Sequence, residues 1–254
     1  MNEPPVISMH GVTVSHPRTP KVPLVSGVDW DVRAGECWVV TGAQGSGKTA
    51  LLETAAGLYP CLAGEVRVFG EPMGNAARAA RIRRRVGMVF DGHGRLFPRM
   101  TVYENVALPV TYHDDLSLAD AAAWVMPVLE ALELDRMADL PAGRLGRAWA
   151  RRVAIARALA LRPEVLLMDN PVTGLDAVHL RWWRGFAARW LAGHPVMGGK
   201  PGTLVLASDE VRPLLSVGHW FAVVHAGTWR VLGDRAAFEL SDEPLLKELL
   251  AGIE

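Results

Sequence analysis

The chain has 254 residues and a mass of 27.6 kDa, which suffices for one large domain or two small ones with a substantial apolar core. Half of its residues are apolar and 21% are charged, which excludes a disordered or low-complexity chain. The 27 Lys and Arg residues balance 27 Asp and Glu residues, so no overall positive field draws the protein onto nucleic acid or anionic lipid.

Cysteine content and hydropathy indicate a cytoplasmic protein. The two cysteines, Cys37 and Cys61, are too few for a disulfide framework, which is typical of a reducing compartment. No uninterrupted apolar run of about 18 residues is present, so we expect no membrane span. The N-terminal stretch contains an acid and two prolines rather than a basic stretch and an apolar core, so we expect no signal peptide.

The first 90 residues alternate between short strands and helices. Hydrophobic patterning predicts a proline-rich loop over 16–23 and strands over 6–14, 28–32, 37–41, 65–69 and 86–90. It predicts helices over 50–58 and 75–85. This alternation is typical of a parallel sheet whose strands are joined by helices.

The rest of the chain continues this alternation after a block of helices. Patterning predicts helices over 118–134, 148–161, 180–191 and 244–250, and strands over 165–168, 203–207, 220–224 and 228–232, the last two as a hairpin. These elements predict a single α/β domain over 1–254, with a largely parallel sheet, flanking helices and an antiparallel edge at the N-terminus. We expect the core to comprise about 1–90 and 162–254, and an inserted helical subdomain to comprise about 91–161.

The segment after the predicted strand 37–41 carries a phosphate-binding pattern. Residues 42–49 read G-A-Q-G-S-G-K-T and fit G-x-x-x-x-G-K-[ST], with a buried strand before and a helix after. The glycines let successive backbone N–H groups surround an anion, and the helix adds its positive N-terminal end. Lys48 would reach the β- and γ-phosphates, and Thr49 would ligate Mg²⁺. We assign nucleotide binding to Gly42, Ala43, Gln44, Gly45, Ser46, Gly47, Lys48, Thr49 and Ala50.

A buried strand that ends in an acid supplies the second part of a nucleotide site. Residues 165–168 are all apolar, and Asp169 follows them. A phosphate loop needs an acid at the end of a neighbouring strand to hold the metal ion and its water shell. An aspartate that only caps a turn before Pro171 is the alternative. Together with the lysine of the loop, the pattern favours a Mg²⁺ site at Thr49 and Asp169.

Several stretches together resemble the ATP-binding subunit of ABC transporters, over nearly the whole chain. They are residues 28–35, 87–90, 96–106, 153–163, 165–171 and 174–176. The resemblance implies a P-loop NTPase core that binds ATP and Mg²⁺. It also implies a homodimer or heterodimer on a membrane permease, at the cytoplasmic face of the cell membrane. Residues 101–109 and 149–152 most resemble phospholipid-trafficking (Mla/Mce-type) cassettes, although lipoprotein-release and cell-division cassettes share the first of these stretches.

The family's signature motif is altered in this chain. In the family, each ATP lies between one subunit's phosphate loop and the L-S-G-G-Q signature of the other. The position of the signature relative to 153–163 is occupied by Leu145, Gly146, Arg147, Ala148 and Trp149. Only the leucine is retained: Gly146 lacks a hydroxyl group, and the Cβ atoms of Arg147 and Ala148 lie where phosphate needs close backbone approach. The alternative placement over 140–144 fits no better and has the wrong spacing.

Four further positions depart from the family pattern. Asn170 stands where a glutamate would activate the attacking water, and an amide cannot accept the proton. Ser208 replaces the switch histidine and is too short to reach the γ-phosphate. Asp91 replaces a glutamine and would either ligate Mg²⁺ or repel phosphate. His16 lies near the position of an aromatic residue that stacks on adenine.

Retained binding residues and altered catalytic residues predict a subunit that binds ATP and hydrolyses it slowly or not at all. We expect it to act by opening and closing a dimer on a permease. One alternative is an ordinary transport ATPase in which Asp209 or Asp91 serves as the base. The other is a nucleotide-dependent regulatory clamp that binds a protein partner and transports nothing.

Overall fold

Strands and helices alternate along residues 4–16, 19–73, 76–92 and 94–241, which the computed structural model describes. The strands are β1 (Ile7–His16), β2 (Thr19–Val32), β3 (Cys37–Thr41), β4 (Ala63–Val68), β5 (Glu71–Pro72), β6 (Val86–Val89), β7 (Val165–Asp169), β8 (Thr203–Ser208), β9 (Trp220–His225) and β10 (Thr228–Asp234). The helices are α1 (Lys48–Ala55), α2 (Ala76–Arg83), α3 (Val102–Asp114), α4 (Ala122–Ala131), α5 (Arg147–Leu159), α6 (Ala177–Gly193) and α7 (Arg235–Glu239). Within these described ranges no helix is both long enough and apolar enough to traverse a bilayer. The predicted helix 244–250 lies outside them.

The strands form one mixed sheet in the order β5-β4-β1-β2-β10-β9-β3-β8-β7-β6. The five strands from β9 to β6 are parallel to one another, whereas β2, β1, β4 and β5 pair antiparallel at the N-terminal edge. The predicted hairpin β9–β10 links the two parts, because β10 also pairs with β2 at Thr228 and Ser26. The predicted parallel sheet with an antiparallel edge is confirmed.

Apolar side chains on both faces of the sheet make two cores. Successive side chains of a strand point to opposite faces, so β7 contributes to both cores. Leu166 and Met168 join the core beneath α3, α4, α5 and α6, while Val165 and Leu167 join the core around α1 and the antiparallel edge. All four side chains are fully buried. This double burial explains why residues 165–168 carry no polar residue.

The segment over 91–161 contains a helix, α3, that patterning does not predict. Helix α3 begins with a capping box in which Glu104 N donates to Thr101 Oγ1 (3.1 Å) and Thr101 N donates to Glu104 Oε2 (2.7 Å). Pro109 lies inside α3 and breaks the apparent pattern. The predicted helix 118–134 is wrong at both ends, because Ala119 and Ala121 lie in a turn before α4 and Glu133 has a left-handed φ of 60° after it.

The predicted loop over 16–23 is also wrong, because β2 already begins at Thr19. Residues 19–23 pair with β1 alone, as in His16 with Thr19 and Ser15 with Pro23. Proline lacks a backbone N–H, but an edge position leaves one side of a strand unpaired and tolerates it. The two prolines of this stretch therefore mark an edge strand rather than a loop.

Removing the cap of α3 should destabilise the helical subdomain. We expect Thr101→Ala to lower the free energy of unfolding by about 1 kcal/mol, because the Glu104 N–H loses its acceptor. Thr101→Ser keeps the hydroxyl group and serves as the control. Urea unfolding followed by circular dichroism measures the difference, and equal stability of the alanine and serine variants would contradict it.

Candidate functional site

A glycine-rich loop over residues 42–47 joins β3 to α1 at one end of the sheet. A Cβ atom on Gly42 would lie 2.3 Å from the carbonyl oxygen of Val224, so no larger residue fits there. Gly47 has a φ of 106° and is the residue that caps the N-terminus of α1, a conformation that side chains disfavour. The loop therefore curls tightly around the helix N-terminus, which is the geometry that binds an anion through backbone N–H groups.

Lys48 is buried beneath this loop. Its Nζ atom donates to the carbonyl oxygens of Gly42 (2.7 Å) and Ala43 (2.9 Å), and its side chain is only 6% exposed. Burial lowers the pKa of Lys48, while the nearby charges of Asp209 and Asp169 oppose that shift. A buried ammonium group held by the carbonyl oxygens of a loop is placed to meet phosphate oxygens that the same loop surrounds.

Thr49 and Asp169 face each other across the sheet end. Thr49 Oγ1 donates to Asp169 Oδ2 at 2.7 Å, although the residues are 120 positions apart. The other carboxylate oxygen, Oδ1, is buried and accepts no hydrogen bond from any described residue. Burial raises the pKa of Asp169 to about 6, the Thr49 hydrogen bond opposes this, and the charge of Asp91 adds to it. A hydroxyl group beside an unpartnered carboxylate oxygen matches the oxygen donors that Mg²⁺ prefers, so these residues fit the ion.

Asn170 and Asp91 lie side by side where β7 and β6 end. Asn170 Nδ2 donates to Asp91 Oδ2 at 3.0 Å, and Asn170 Oδ1 is buried without a hydrogen bond to any described residue. Arg151 of α5 is only 3% exposed and places its Nη2 atom 3.8 Å from Asp91 Oδ1. The structure thus brings Asn170 and Asp91 together and joins them to α5 through Arg151.

Ser208 does not face the nucleotide site. Its side chain is fully buried, its Oγ atom accepts from Glu210 N (3.0 Å), and the same hydroxyl donates to Glu210 O (3.1 Å). The hydroxyl group therefore closes a local turn after β8. Asp209, the next residue, is the one that lines the site.

A cleft of about 570 Å³ collects most of the predicted site residues. His16 lies in its wall, where the sequence places the adenine contact. Gly42, Ala43 and Asp169 do not line the cleft and act through Lys48 and Thr49 instead. The predicted residues that line it are His16, Gln44, Gly45, Ser46, Gly47, Lys48, Thr49, Ala50, Asp91 and Asn170.

Sequence reasoning missed an ion pair in the wall of the cleft. Arg95 Nη2 donates to Glu53 Oε1 at 3.0 Å, and its guanidinium group lies 3.9 Å from the ring centroid of Phe90. Arg157 of α5 holds the same loop by donating to the carbonyl oxygens of Arg95 (3.0 Å) and Gly94 (2.5 Å). The sequence did contain one indication, because Glu53 lies among apolar residues on a predicted helix. In the structure its side chain is only 3% exposed, and a carboxylate that is buried in this way needs a cation beside it.

None of residues 145–149, where the sequence analysis expects the signature, lines the cleft. Gly146 caps α5, and Arg147 is an exposed residue in the first turn of that helix. The Trp149 ring packs against His179 at 5.3 Å, and the Arg152 guanidinium group lies 4.5 Å from that ring. These residues thus form the start of a helix that lies away from their own chain's nucleotide cleft.

Known proteins resemble this chain in sequence. The family model described as ABC transporter matches residues 25–173. Nod factor export ATP-binding protein I of Burkholderia thailandensis is 41% identical over 165 residues, which cover 63% of this chain and 52% of that protein. Sulfate/thiosulfate import ATP-binding protein CysA of Methylococcus capsulatus is 34% identical over 223 residues, 87% of this chain and 61% of that one. The chain thus spans about half to three fifths of the length of these relatives.

Solved structures share the fold. The dimeric post-hydrolysis state of the ATP-binding cassette MJ0796, bound to ADP and Pi, has a TM-score of 0.77 at 24% identity and covers 89% of this chain and 98% of that one. The cbiO1 protein from Clostridium perfringens, part of the complex cbiONQ, has a TM-score of 0.76 at 20% identity and covers 98% of this chain and 92% of that one. These likenesses confirm the predicted α/β fold with flanking helices.

Neutralising Asp169 should stabilise the metal-free protein. The folded state raises the pKa of Asp169, so the ionised carboxylate lowers stability above about pH 6, and this cost disappears as the pH falls towards 4. We expect Asp169→Asn, which keeps an acceptor for Thr49, to raise the free energy of unfolding at pH 7 by about 1–3 kcal/mol.

Chemical denaturation in EDTA at pH 4, 5, 6 and 7 measures this effect. The control is Asp139→Asn, because Asp139 is exposed and lies outside the cleft. A gain that stays the same from pH 7 to pH 4 would contradict the assignment to the buried charge.

Proposed function

This chain belongs to the ABC transporter family, and we propose that it is an ATP-binding subunit whose nucleotide-driven dimer closure moves a membrane permease. The observation that carries the proposal is the pairing of the Lys48 cradle with Thr49 and Asp169 at one end of the sheet. The loop and Lys48 would hold the phosphates, and Thr49 and Asp169 would hold Mg²⁺. Magnesium, when bound, neutralises charge on the β- and γ-phosphates.

Slow hydrolysis is the second part of the proposal. Asn170 follows Asp169 at the end of β7 and lines the cleft, and its amide can orient a water molecule but cannot accept its proton. Losing a general base typically lowers turnover by about 10²–10⁴-fold. In this proposal ATP binding closes the dimer, and release of the nucleotide opens it. Hydrolysis contributes to reopening only slowly.

The position of residues 145–149 supports the proposal of a dimer. Residues 145–149 lie outside their own chain's cleft, so a nucleotide meets them only from a second subunit. In a homodimer, Arg147 at the start of α5 would face the partner's ATP and offer a cation in place of close backbone contacts. The alternative is a heterodimer with a different subunit that has an unaltered signature. In that heterodimer, residues 145–149 of this chain would face only the ATP bound by the other subunit.

The permease contact is assigned to an apolar groove beside β6, between α3 and α5. Its volume is about 450 Å³, and its walls include Phe90, Leu108, Tyr112 and Leu161. Tyr112 is 80% exposed, and its ring meets only the His113 ring edge-on at 5.1 Å in the described part of the chain, so most of its apolar surface is open to a partner. A helix of the permease, docked here, would place the protein on the cytoplasmic face of the membrane.

For the transported substrate we propose only a chemical class. Residues 101–109 and 149–152 favour the phospholipid-trafficking branch. The relatives at 41% and 34% identity are named for Nod factor export and for sulfate or thiosulfate import. We place phospholipids first among the substrates to be tested and leave the direction of transport to that test.

Purified protein incubated with MgATP should retain unhydrolysed ATP. The bound nucleotide is released by denaturation and identified by chromatography, with Lys48→Ala as the control that binds none. Retention of ATP by the native protein supports a binding switch. Quantitative recovery of ADP and phosphate within one minute would contradict slow hydrolysis and favour the ordinary ATPase.

A charge placed in the apolar groove should separate the subunit from its permease. We expect Tyr112→Asp to lose co-purification with a multispanning membrane protein from detergent-solubilised native membranes, while ATP retention stays unchanged. Leu240→Asp is the matched control, because Leu240 is 83% exposed and lies outside the groove. Absence of any multispanning partner for the native protein would contradict the transporter and favour the regulatory clamp.

A further inference from the structure

Resting on the proposed function, we propose that Asp209 is the counter-ion of Lys48 in the absence of nucleotide, and that it competes with the phosphates of ATP for this lysine. Both residues line the cleft. Ser208 is a positioning residue that fixes Asp209 there. The competition weakens the binding of ATP and speeds its release, which is the step that opens the dimer when hydrolysis is slow.

Strand register places Asp209 beside a carbonyl group that holds Lys48. Thr41 of β3 and Ser208 of β8 form the last pair of a parallel ladder. The residue that follows Thr41 is Gly42, whose carbonyl oxygen accepts from Lys48 Nζ at 2.7 Å. The residue that follows Ser208 is Asp209. The carboxylate therefore leaves the sheet on the strand next to the one that leads into the glycine-rich loop.

The Asp209 carboxylate has an unused acceptor close to a buried cation. Its Oδ1 atom is buried and accepts no hydrogen bond from any described residue, which costs free energy unless a nearby cation compensates. Lys48 Nζ donates to the carbonyl oxygens of Gly42 and Ala43, so Asp209 acts on it through charge rather than through a direct hydrogen bond. Burial lowers the pKa of Lys48, and the charge of Asp209 opposes this shift more than that of Asp169 does.

The other carboxylates that line the cleft have partners of their own. Glu53 Oε1 accepts from Arg95 Nη2 at 3.0 Å, so this acid and this cation compensate each other. Asp91 accepts hydrogen bonds from a side-chain amide and from a backbone N–H group. In the described part of the chain, Asp209 is the carboxylate in the cleft wall that has neither a hydrogen bond nor an ion pair of its own. It is therefore the acid left to compensate Lys48.

The turn after β8 holds Asp209 at the cleft. Ser208 is fully buried, and its Oγ atom accepts from Glu210 N (3.0 Å) and donates to Glu210 O (3.1 Å). These two hydrogen bonds join the residues on either side of Asp209 and so fix its backbone. The Glu210 side chain is exposed and does not line the cleft. The turn thus directs one acid into the cleft and its neighbour into solvent.

Nucleotide binding would exchange the counter-ion of Lys48. The lysine of a phosphate loop reaches the β- and γ-phosphates, so phosphate oxygens would replace Asp209 as its main opposite charge. The carboxylate would then face groups of like charge in a partly buried site, where repulsion is stronger than in water. Asp209 therefore opposes the bound state. Because most differences in affinity arise in the dissociation rate, its main effect is on ATP release.

Neutralising Asp209 should tighten the binding of ATP. We expect Asp209→Asn to bind MgATP at least about fivefold more tightly and to release it at least about fivefold more slowly than the native protein. Equilibrium titration and a chase of bound fluorescent ATP analogue with excess ATP measure the two quantities. The matched control is Glu210→Gln, which removes an exposed charge next to Asp209 and should stay within about twofold of the native values.

Thermal unfolding in EDTA without nucleotide tests the pairing of the two charges by itself. Asp209→Asn should lower the melting temperature by about 2–4 °C, because Lys48 loses a compensating charge inside the fold. The same substitution in a Lys48→Met background should not lower it, because the carboxylate has no cation there. The difference between the two backgrounds measures the coupling of the two side chains.

A further double-variant comparison tests the positioning role of Ser208. Ser208→Ala frees the turn and should tighten MgATP binding by at least about twofold, because Asp209 is no longer held beside Lys48. In the Asp209→Asn background, Ser208→Ala should leave the affinity unchanged. A hydroxyl group that only stabilises the fold would lower the melting temperature and give no gain in affinity, which would contradict this role.

Three results would overturn the inference. The first is a dissociation constant of Asp209→Asn within about twofold of the native value. The second is a loss of turnover in that variant with unchanged affinity, which would make Asp209 the base of an ordinary ATPase. The third is an equal change of melting temperature in both Lys48 backgrounds. A native protein that binds no MgATP would contradict the proposed function, and the melting temperatures would still decide whether the two charges are paired.

Discussion

Parallel pairing in register brings the groups that follow β3, β6, β7 and β8 together at one end of the sheet. Strands β3, β8, β7 and β6 run in the same direction, so their carboxyl ends meet at one edge of the sheet. The phosphate loop follows β3, Asp209 follows β8, Asn170 follows β7, and Asp91 comes shortly after β6. Residues separated by more than a hundred positions thus come within hydrogen-bonding distance. A shift of one residue in any of these ladders would reverse the faces of its side chains and dismantle the site.

Burial shifts the pKa values of the two charged groups at this edge of the sheet. Lys48 and Asp169 are both nearly inaccessible, and burial shifts the pKa of each towards its neutral form. Each charge is partly compensated within the protein, the lysine by carbonyl oxygens and the aspartate by one hydroxyl group. A bound nucleotide and its metal ion would supply opposite charges, so their binding would offset the cost of burying these two groups.

Local patterns predicted the glycine-rich loop between β3 and α1 and the buried strand that ends in Asp169, because each depends on a short run of sequence. An apolar strand, a glycine-rich turn and a helix start are all visible between residues 37 and 55. Contacts between side chains that are far apart in the sequence could not be predicted in this way. The Glu53–Arg95 pair and the Asp91–Asn170 pair depend on helix docking and on strand register, which spacing along the chain does not reveal. Ser208 was predicted to mark a switch position, yet its hydroxyl group serves the backbone of Glu210.

The Arg157 side chain has a consequence for communication across the subunit. It lines the apolar groove, and it also holds the carbonyl oxygens of Gly94 and Arg95. Arg95 in turn reaches Glu53 on the helix that starts at the phosphate loop. Arg157 lines the groove, Arg95 lines the cleft, and the hydrogen bond from Arg157 to the carbonyl oxygen of Arg95 connects the two. A partner bound in the groove would contact Arg157, and two successive side-chain contacts join Arg157 to α1, the helix that begins at the glycine-rich loop.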